Sequence, residues 1–158
     1  AKDYWFDNNF RRRFFKNLIN LIPISRKPNP ESLDLDDTMT LSKAFMDLGN
    51  NIIIFPEGSR GEVGKIQRFR KGAVKFSMGL DVPILPAAIM GAEKAWPKGE
   101  KFIKPFPITV KVLPKIDPPK TEELSKTAYN KALSKITKEL EIKISEAVKE
   151  LEETKNPD

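Results

Sequence analysis

A chain of 158 residues with neither histidine nor cysteine cannot build a Ser-His-Asp or Cys-His triad, a zinc centre of the usual Cys/His type, or a disulfide framework. Its length and its balance of 39% hydrophobic against 32% charged residues predict one folded domain with a real core. The net charge of +6 is unevenly spread: +5 over residues 1–27 (seven basic, two acidic), −4 over residues 28–56 (one basic, five acidic) and +4 over residues 57–75 (six basic, two acidic). Two basic segments separated by an acidic one suggest a local anion site and not a nucleic-acid coat, and no nucleic-acid motif is present.

In chain order, Phe10, Phe14, Leu18 and Leu21 fall at helical spacing, so residues 10–20 are predicted to form a helix that Pro23 ends. Residues 21–26 read as a short extended piece and residues 27–30 as a loop. A second helix is expected over residues 34–48, with acids in its first turns, Leu41, Phe45 and Leu48 on its apolar side and Gly49 just past its end. Ile52-Ile53-Ile54-Phe55 is apolar at every position and β-branched, which suits a strand buried on both faces. Residues 71–78 read as a short helix closed by Gly79. Residues 82–90 read as another buried strand whose pairing Pro83 and Pro86 limit. Residues 98–105 read as a basic loop and residues 108–113 as a third strand. From residue 121 to about residue 155 there is neither Gly nor Pro. Leu124, Ala128, Ile136, Leu140, Ile144, Ala147 and Leu151 there keep helical periodicity, predicting a long amphipathic helix that packs on the sheet or, second, pairs with another helix. Alternating helices and buried strands give an α/β class with a central, mostly parallel or mixed sheet flanked by helices. No apolar run approaches the about 20 residues that a spanning helix needs, and the first residues lack the apolar run of a secretory signal.

The chemistry concentrates in Phe55-Pro56-Glu57-Gly58-Ser59-Arg60-Gly61, which follows the predicted buried strand, where α/β proteins place their sites. Gly58 lets the backbone turn tightly, Arg60 offers a planar fork of donors to a phosphate or carboxylate, and Glu57 is placed to orient that Arg. Lys65, Arg68, Arg70 and Lys71 follow, before Gly72 opens a helix. Against this stands the plainer reading: a turn after a strand with a surface ion pair and a solvated basic face.

Phe-Pro-Glu-Gly-Ser-Arg after an apolar strand resembles the third signature block of the glycerolipid acyltransferases, the 1-acylglycerol-3-phosphate (lysophosphatidic acid) acyltransferase-like family, whose usual form is Phe-Pro-Glu-Gly-Thr-Arg. Ile22-Pro23-Ile24-Ser25-Arg26 resembles the second block, and Val82-Pro83-Ile84-Leu85-Pro86 the fourth. Phe69-Arg70-Lys71-Gly72-Ala73 matches the stretch often found between the third and fourth. The resemblance covers about residues 1–117, an acyltransferase-like domain, with residues 118–158 as a C-terminal helix packed on it. It implies a glycerol-3-phosphate acyltransferase-like fold and transfer of an acyl chain from acyl-CoA or acyl carrier protein to the hydroxyl of a lysophospholipid, in phospholipid biosynthesis. It places Arg26 and Arg60 on the acceptor phosphate, Glu57 and Gly58 in the shaping of the loop, Ser59 in the same phosphate site with the hydroxyl of the usual Thr, and Lys71 as a weaker phosphate candidate. It implies no metal and no cofactor beyond the acyl donor.

The family's first block, His-x-x-x-x-Asp, is absent, and no other residue stands out as a base. In the family that block lies upstream of the segment that residues 1–6 resemble. Two expectations follow: a chain truncated at its N-terminus, or a naturally degenerate protein that binds lipid or a partner without chemistry. In either case the chain as it stands is expected to be inactive. The expected partners are a lysophospholipid, an acyl donor and the surface of a membrane, at its cytoplasmic face and peripherally, with no nucleic acid. Lys2, Arg11, Arg12, Arg13 and Lys16 with Tyr4, Trp5, Phe6, Phe14 and Phe15 form one candidate interfacial face. Trp96 with Lys94, Lys98, Lys101 and Phe102 forms another.

Overall fold

The computed structural model describes residues 35–59, 65–97, 99–100, 102–122 and 124–155. The expected helix at 10–20, the extended piece at 21–26 and the first interfacial face lie outside the described residues. The chain divides into two compact units, Ala1–Ile53 and Ile54–Asp158.

In the first unit, α1 spans Leu35–Asp47 and carries Asp36 and Asp37 in its first turn, where the helix dipole favours negative charge. Its end follows the expected glycine. Gly49 sits at φ 82°, its N–H donates 2.8 Å to the Met46 carbonyl, and the Asn50 N–H donates 3.2 Å to the Phe45 carbonyl. These two bonds make a Schellman closure, which a residue without Cβ adopts at least cost. The expected apolar side is only partly right. Leu41 and Phe45 are half-buried, Leu48 is exposed, and the fully buried line is Thr38 and Ser42, whose hydroxyl donates 2.7 Å to the Thr38 carbonyl. That back-bond consumes the hydroxyl, so Ser42 is buried without an unmet polar group.

The run at residues 52–55 differs from the expected doubly buried strand. No described residue pairs with it, and exposure alternates, with Ile53 82% and Phe55 69% exposed. Apolar composition alone does not bury a strand; it needs cover on both faces, and here only Ile52 and Ile54 are half-buried.

In the second unit, α2 spans Gly72–Leu80 and so runs one residue past the glycine stop expected at Gly79. It ends instead on Asp81, which takes the left-handed conformation at φ 51°. Aspartate tolerates that region better than most non-glycine residues. β1 (Ala87–Met90) pairs antiparallel with β2 (Thr109–Val112), Ala87 opposite Val112 and Met90 opposite Thr109, with a four-residue helix α3 (Ala92–Ala95) between them. The ribbon continues past Pro86 to an isolated bridge, where Ile84 and Ile116 exchange bonds of 2.9 and 2.8 Å. Proline interruption thus shortens the expected strand at 82–90 without ending the pairing, because Pro86 still accepts 2.9 Å from the Leu113 N–H. Among the described residues this antiparallel pair is the only sheet; the expected parallel or mixed central sheet is not displayed by them.

α4 spans Lys126–Lys155 and starts after the Ser125 hydroxyl accepts 3.2 Å from the Ala128 N–H, an N-cap that places the start later than residue 121. It packs on β1 and α2. Its buried line is Leu133, Thr137, Leu140 and Ala147, and the core they complete contains Phe69, Val74, Met78 and Ile116. β1 turns Ala88 inward, while Leu85, Ile89, Val110 and Val112 stay exposed, so this strand is buried on one face where two were expected. Among the described residues no helix is long and apolar enough to cross a membrane.

Candidate functional site

The turn at residues 55–59 is built by short-range geometry and then fastened by side chains from further along the chain. The Gly58 N–H donates 3.1 Å to the Phe55 carbonyl, and Gly58 takes φ 71°, a conformation that an L side chain resists. Three ties bind this turn to residues 67–70. The Arg70 N–H donates 2.8 Å to the Pro56 carbonyl. The Gln67 N–H donates 2.9 Å to Glu57 Oε2. The Ser59 hydroxyl donates 3.2 Å to Gln67 Oε1. Glu57 therefore braces the backbone of the basic segment, a role that the expectation of an Arg-orienting carboxylate did not include.

A second set of ties runs from the same segment to α4. The Phe69 N–H donates 2.7 Å to Glu141 Oε2, and Lys71 Nζ donates 2.8 Å to the Ser134 hydroxyl. Ser134 in turn donates 2.9 Å to the Asn130 carbonyl. The Phe69 side chain is buried in the core. The Gln67 amide and side chain, the Phe69 amide and ring, the Arg70 amide and the Lys71 ammonium are thus pinned between the turn and the long helix.

Of the residues the sequence singled out, Glu57, Gly58 and Ser59 come together in the turn. Lys71 does not join them through its ammonium, which is engaged with Ser134. Arg26 and Arg60 lie outside the described residues. Sequence reasoning named Arg70 only as one of a basic run, yet its side chain lies directly over Gly58. A Cβ on Gly58 would stand 2.9 Å from Arg70 Nε and 3.0 Å from its Cδ. The signal that might have singled it out was its place between Phe69, a core residue, and Gly72, the first residue of α2. Exposed Arg68 and Arg70 add positive charge beside the turn. Among the described residues no cluster of His, Cys, Asp and Glu is arranged to hold a metal. The arrangement is suited to gripping an anion and supplies no proton acceptor of histidine type.

A family model described as "Acyltransferase" matches residues 1–90. Among curated relatives, the 1-acyl-sn-glycerol-3-phosphate acyltransferase of Limnanthes douglasii is 42% identical over 67 residues, covering 42% of this chain and 24% of that protein. The 1-acyl-sn-glycerol-3-phosphate acyltransferase of Cocos nucifera is 31% identical over 104 residues, covering 66% of this chain and 32% of that protein. The chain therefore spans about a quarter to a third of the length of these relatives. Among solved structures, the 1-acyl-sn-glycerophosphate (LPA) acyltransferase of Thermotoga maritima matches with a TM-score of 0.49 at 24% identity, over 68% of this chain and 44% of that one.

Proposed function

Because the chain belongs to the Acyltransferase family, we propose that it supplies the acceptor-phosphate site for acyl transfer from acyl-CoA or acyl carrier protein to a lysophospholipid such as 1-acylglycerol-3-phosphate. The observation that carries this reading is the triple tie between the signature turn and residues 67–70, which holds Glu57, Gly58 and Ser59 rigidly beside exposed guanidinium groups. A preorganised cationic turn suits a dianionic phosphate, because Arg binds such oxygens through two parallel N–H donors. In this scheme Arg60 and Arg26 hold the phosphate, Glu57 and Ser59 keep the turn in shape, and Lys71 contributes its charge from the flank.

The reaction forms an ester C–O bond and breaks a thioester C–S bond, and the acceptor hydroxyl must give up its proton to a base. These 158 residues contain no histidine to take it. Alone, the polypeptide is expected to bind acceptor and to show only background turnover with lysophosphatidic acid and acyl-CoA. The same absence favours the second reading, a lipid- or membrane-binding acyltransferase-like domain without chemistry. The lipid acceptor calls for a membrane surface. Exposed Phe102 and Ile103, and Lys94 with its Nζ 5.3 Å from the centre of the Phe106 ring, are apolar, aromatic and basic groups fit for a peripheral contact with anionic headgroups at the cytoplasmic face.

Titration with glycerol 3-phosphate, against glycerol as the uncharged control, tests the site. Binding of the phosphate alone, lost in Arg60→Ala, is the expected result; equal binding of both, or of neither, refutes the assignment. In a catalytically competent form, Arg26→Ala and Arg60→Ala should chiefly raise the acceptor KM, and unchanged kinetics in both would remove them from the site.

A further inference from the structure

We propose that Arg70 is a second phosphate-gripping guanidinium, laid over Gly58 so that its donor fork closes on the anion that the signature turn presents. The proposal rests on the acceptor-phosphate reading and extends it to a residue outside the signature block.

Three neighbouring cations, Arg68, Arg70 and Lys71, have similar charge and exposure. The structure treats them differently. Lys71 Nζ is committed to Ser134 of α4. Among the described residues Arg68 makes no hydrogen bond or ion pair with the turn. Arg70 alone is drawn to it at two levels: its N–H donates 2.8 Å to the Pro56 carbonyl, and its side chain fills the space where a Cβ on Gly58 would stand. The space above Gly58 is occupied by Nε and Cδ, with Cζ only slightly further at 3.6 Å from where a Cβ would stand. The guanidinium is therefore held at the turn by its stem, and among the described residues no carboxylate or carbonyl pairs with it. Preceding Phe69 is fastened on both sides, by core burial of its ring and by the 2.7 Å bond from its N–H to Glu141.

A long cationic side chain laid along a glycine, with its charged end unpaired and its backbone pinned, is preorganised for an anion. Little rotamer freedom is left to lose on binding, which is where a flexible surface Lys or Arg wastes most of its attraction. Glycine at position 58 then has two functions: it permits the positive φ, and it leaves room for the Arg70 stem. The ligand chemistry is a phosphate monoester, and it has two sources in the proposed reaction, the acceptor lipid and the phosphates of coenzyme A. The contact with the signature turn assigns Arg70 to the acceptor.

The test is titration calorimetry on the full 158-residue chain with glycerol 3-phosphate and, separately, coenzyme A. Arg70→Gln is expected to weaken glycerol 3-phosphate roughly tenfold or more, the scale of a lost charge-assisted hydrogen-bonded pair. Arg70→Lys should recover part of this, because it keeps the charge and loses the fork. Arg68→Gln, which removes the same charge two residues away from the contact, should cost much less, and coenzyme A should bind Arg70→Gln as it binds the parent. Equal losses in Arg68→Gln and Arg70→Gln would reduce the effect to net charge and overturn the proposal. So would a loss of coenzyme A binding with glycerol 3-phosphate unaffected, which would move Arg70 to the donor. If Arg60→Gln abolishes glycerol 3-phosphate binding and Arg70→Gln leaves it intact, Arg70 fails and the acceptor-phosphate reading stands. If the parent chain binds no glycerol 3-phosphate at millimolar concentration, both fail together.

Discussion

The signature turn and the long helix α4 are held by different physics. α4 is fixed by apolar packing: Leu133, Leu140 and Ala147 fill one line against Phe69, Val74, Met78 and Ile116 or against β1. The turn contributes nothing to that core, and Phe55 at its head is largely exposed. It is fastened instead by hydrogen bonds between residues 56–59 and 67–70. The difference teaches that the helix supplies the stability while the turn supplies the geometry, and that the segment at 67–71 joins the two. Substitutions in the helix should therefore act on folding, and substitutions in the turn on anion binding.

Leu140→Ala should break the core side of this contrast most severely. Leu140 is 3% exposed and completes the main cluster. The loss of its side chain should cost about 2–5 kcal/mol by transfer and cavity terms together. Urea denaturation reads this as a lower midpoint. Glycerol 3-phosphate affinity, measured on the fraction that remains folded, should be nearly unchanged. A large loss of affinity in the folded fraction would mean that packing, and not the clamp, shapes the turn.

Glu57→Ala attacks the other side. It removes the acceptor of the Gln67 N–H, a partly buried charge-assisted bond worth about 1–3 kcal/mol. The global midpoint should fall less than in Leu140→Ala, while phosphate affinity should fall much more. Amide exchange at Gln67 and Arg70 should accelerate ahead of exchange in α4. Uniform acceleration across both would contradict a locally held clamp.

Gly58→Ala sharpens the comparison on a smaller scale. At φ 71° a Cβ costs roughly 1–2 kcal/mol in backbone strain. The Cβ would also displace the Arg70 side chain, whose Nε and Cδ occupy the space it needs. Stability should thus drop modestly, and binding should drop as far as in Arg70→Gln. Wild-type affinity in Gly58→Ala would separate the glycine from the position of the arginine.

The same contrast explains what the amino-acid pattern disclosed. Helix periodicity and end signals are local, so α1 with its Gly49 closure and the inward residues Leu140 and Ala147 of α4 were legible. The state of residues 52–55 was not, because burial on two faces depends on neighbours that composition does not name. In the site, Phe-Pro-Glu-Gly-Ser-Arg located the turn, and the family match over residues 1–90 agrees with the resemblance it carried. It did not disclose the partner of Glu57, ten residues on, or that of Lys71, 63 residues on. Arg70 and Lys71 are adjacent and alike in charge. Ser134 of α4, which holds the Lys71 ammonium, and the place of the Arg70 side chain over Gly58 distinguish the residue drawn away from the one left for the turn.

The smallest expected effect lies on the outer side of α4 and tests whether surface charge adds to the helix's hold. Glu139 and Lys143 pair at 2.8 Å across one helical turn, with the Glu on the N-terminal side, the favourable order. The hydrogen bond from Lys143, then its charge, holds the Glu139 carboxyl below its usual range, with a lesser contribution from Lys135. A carboxyl whose folded value is depressed contributes stability above its unfolded value and loses it as pH falls through the folded one. Both side chains are about two-fifths exposed, so water and salt screen the pair and its worth should stay under about 1 kcal/mol. Glu139→Gln should therefore lower the urea midpoint slightly at neutral pH and low salt. The gap from the parent should close as the solution is acidified below the ordinary carboxylate range, and it should also close in about 1 M salt, where the screening length is only about 3 Å. A gap that survives both conditions would come from packing of the Glu139 stem, and the outer face of α4 would then resemble its core face in what holds it.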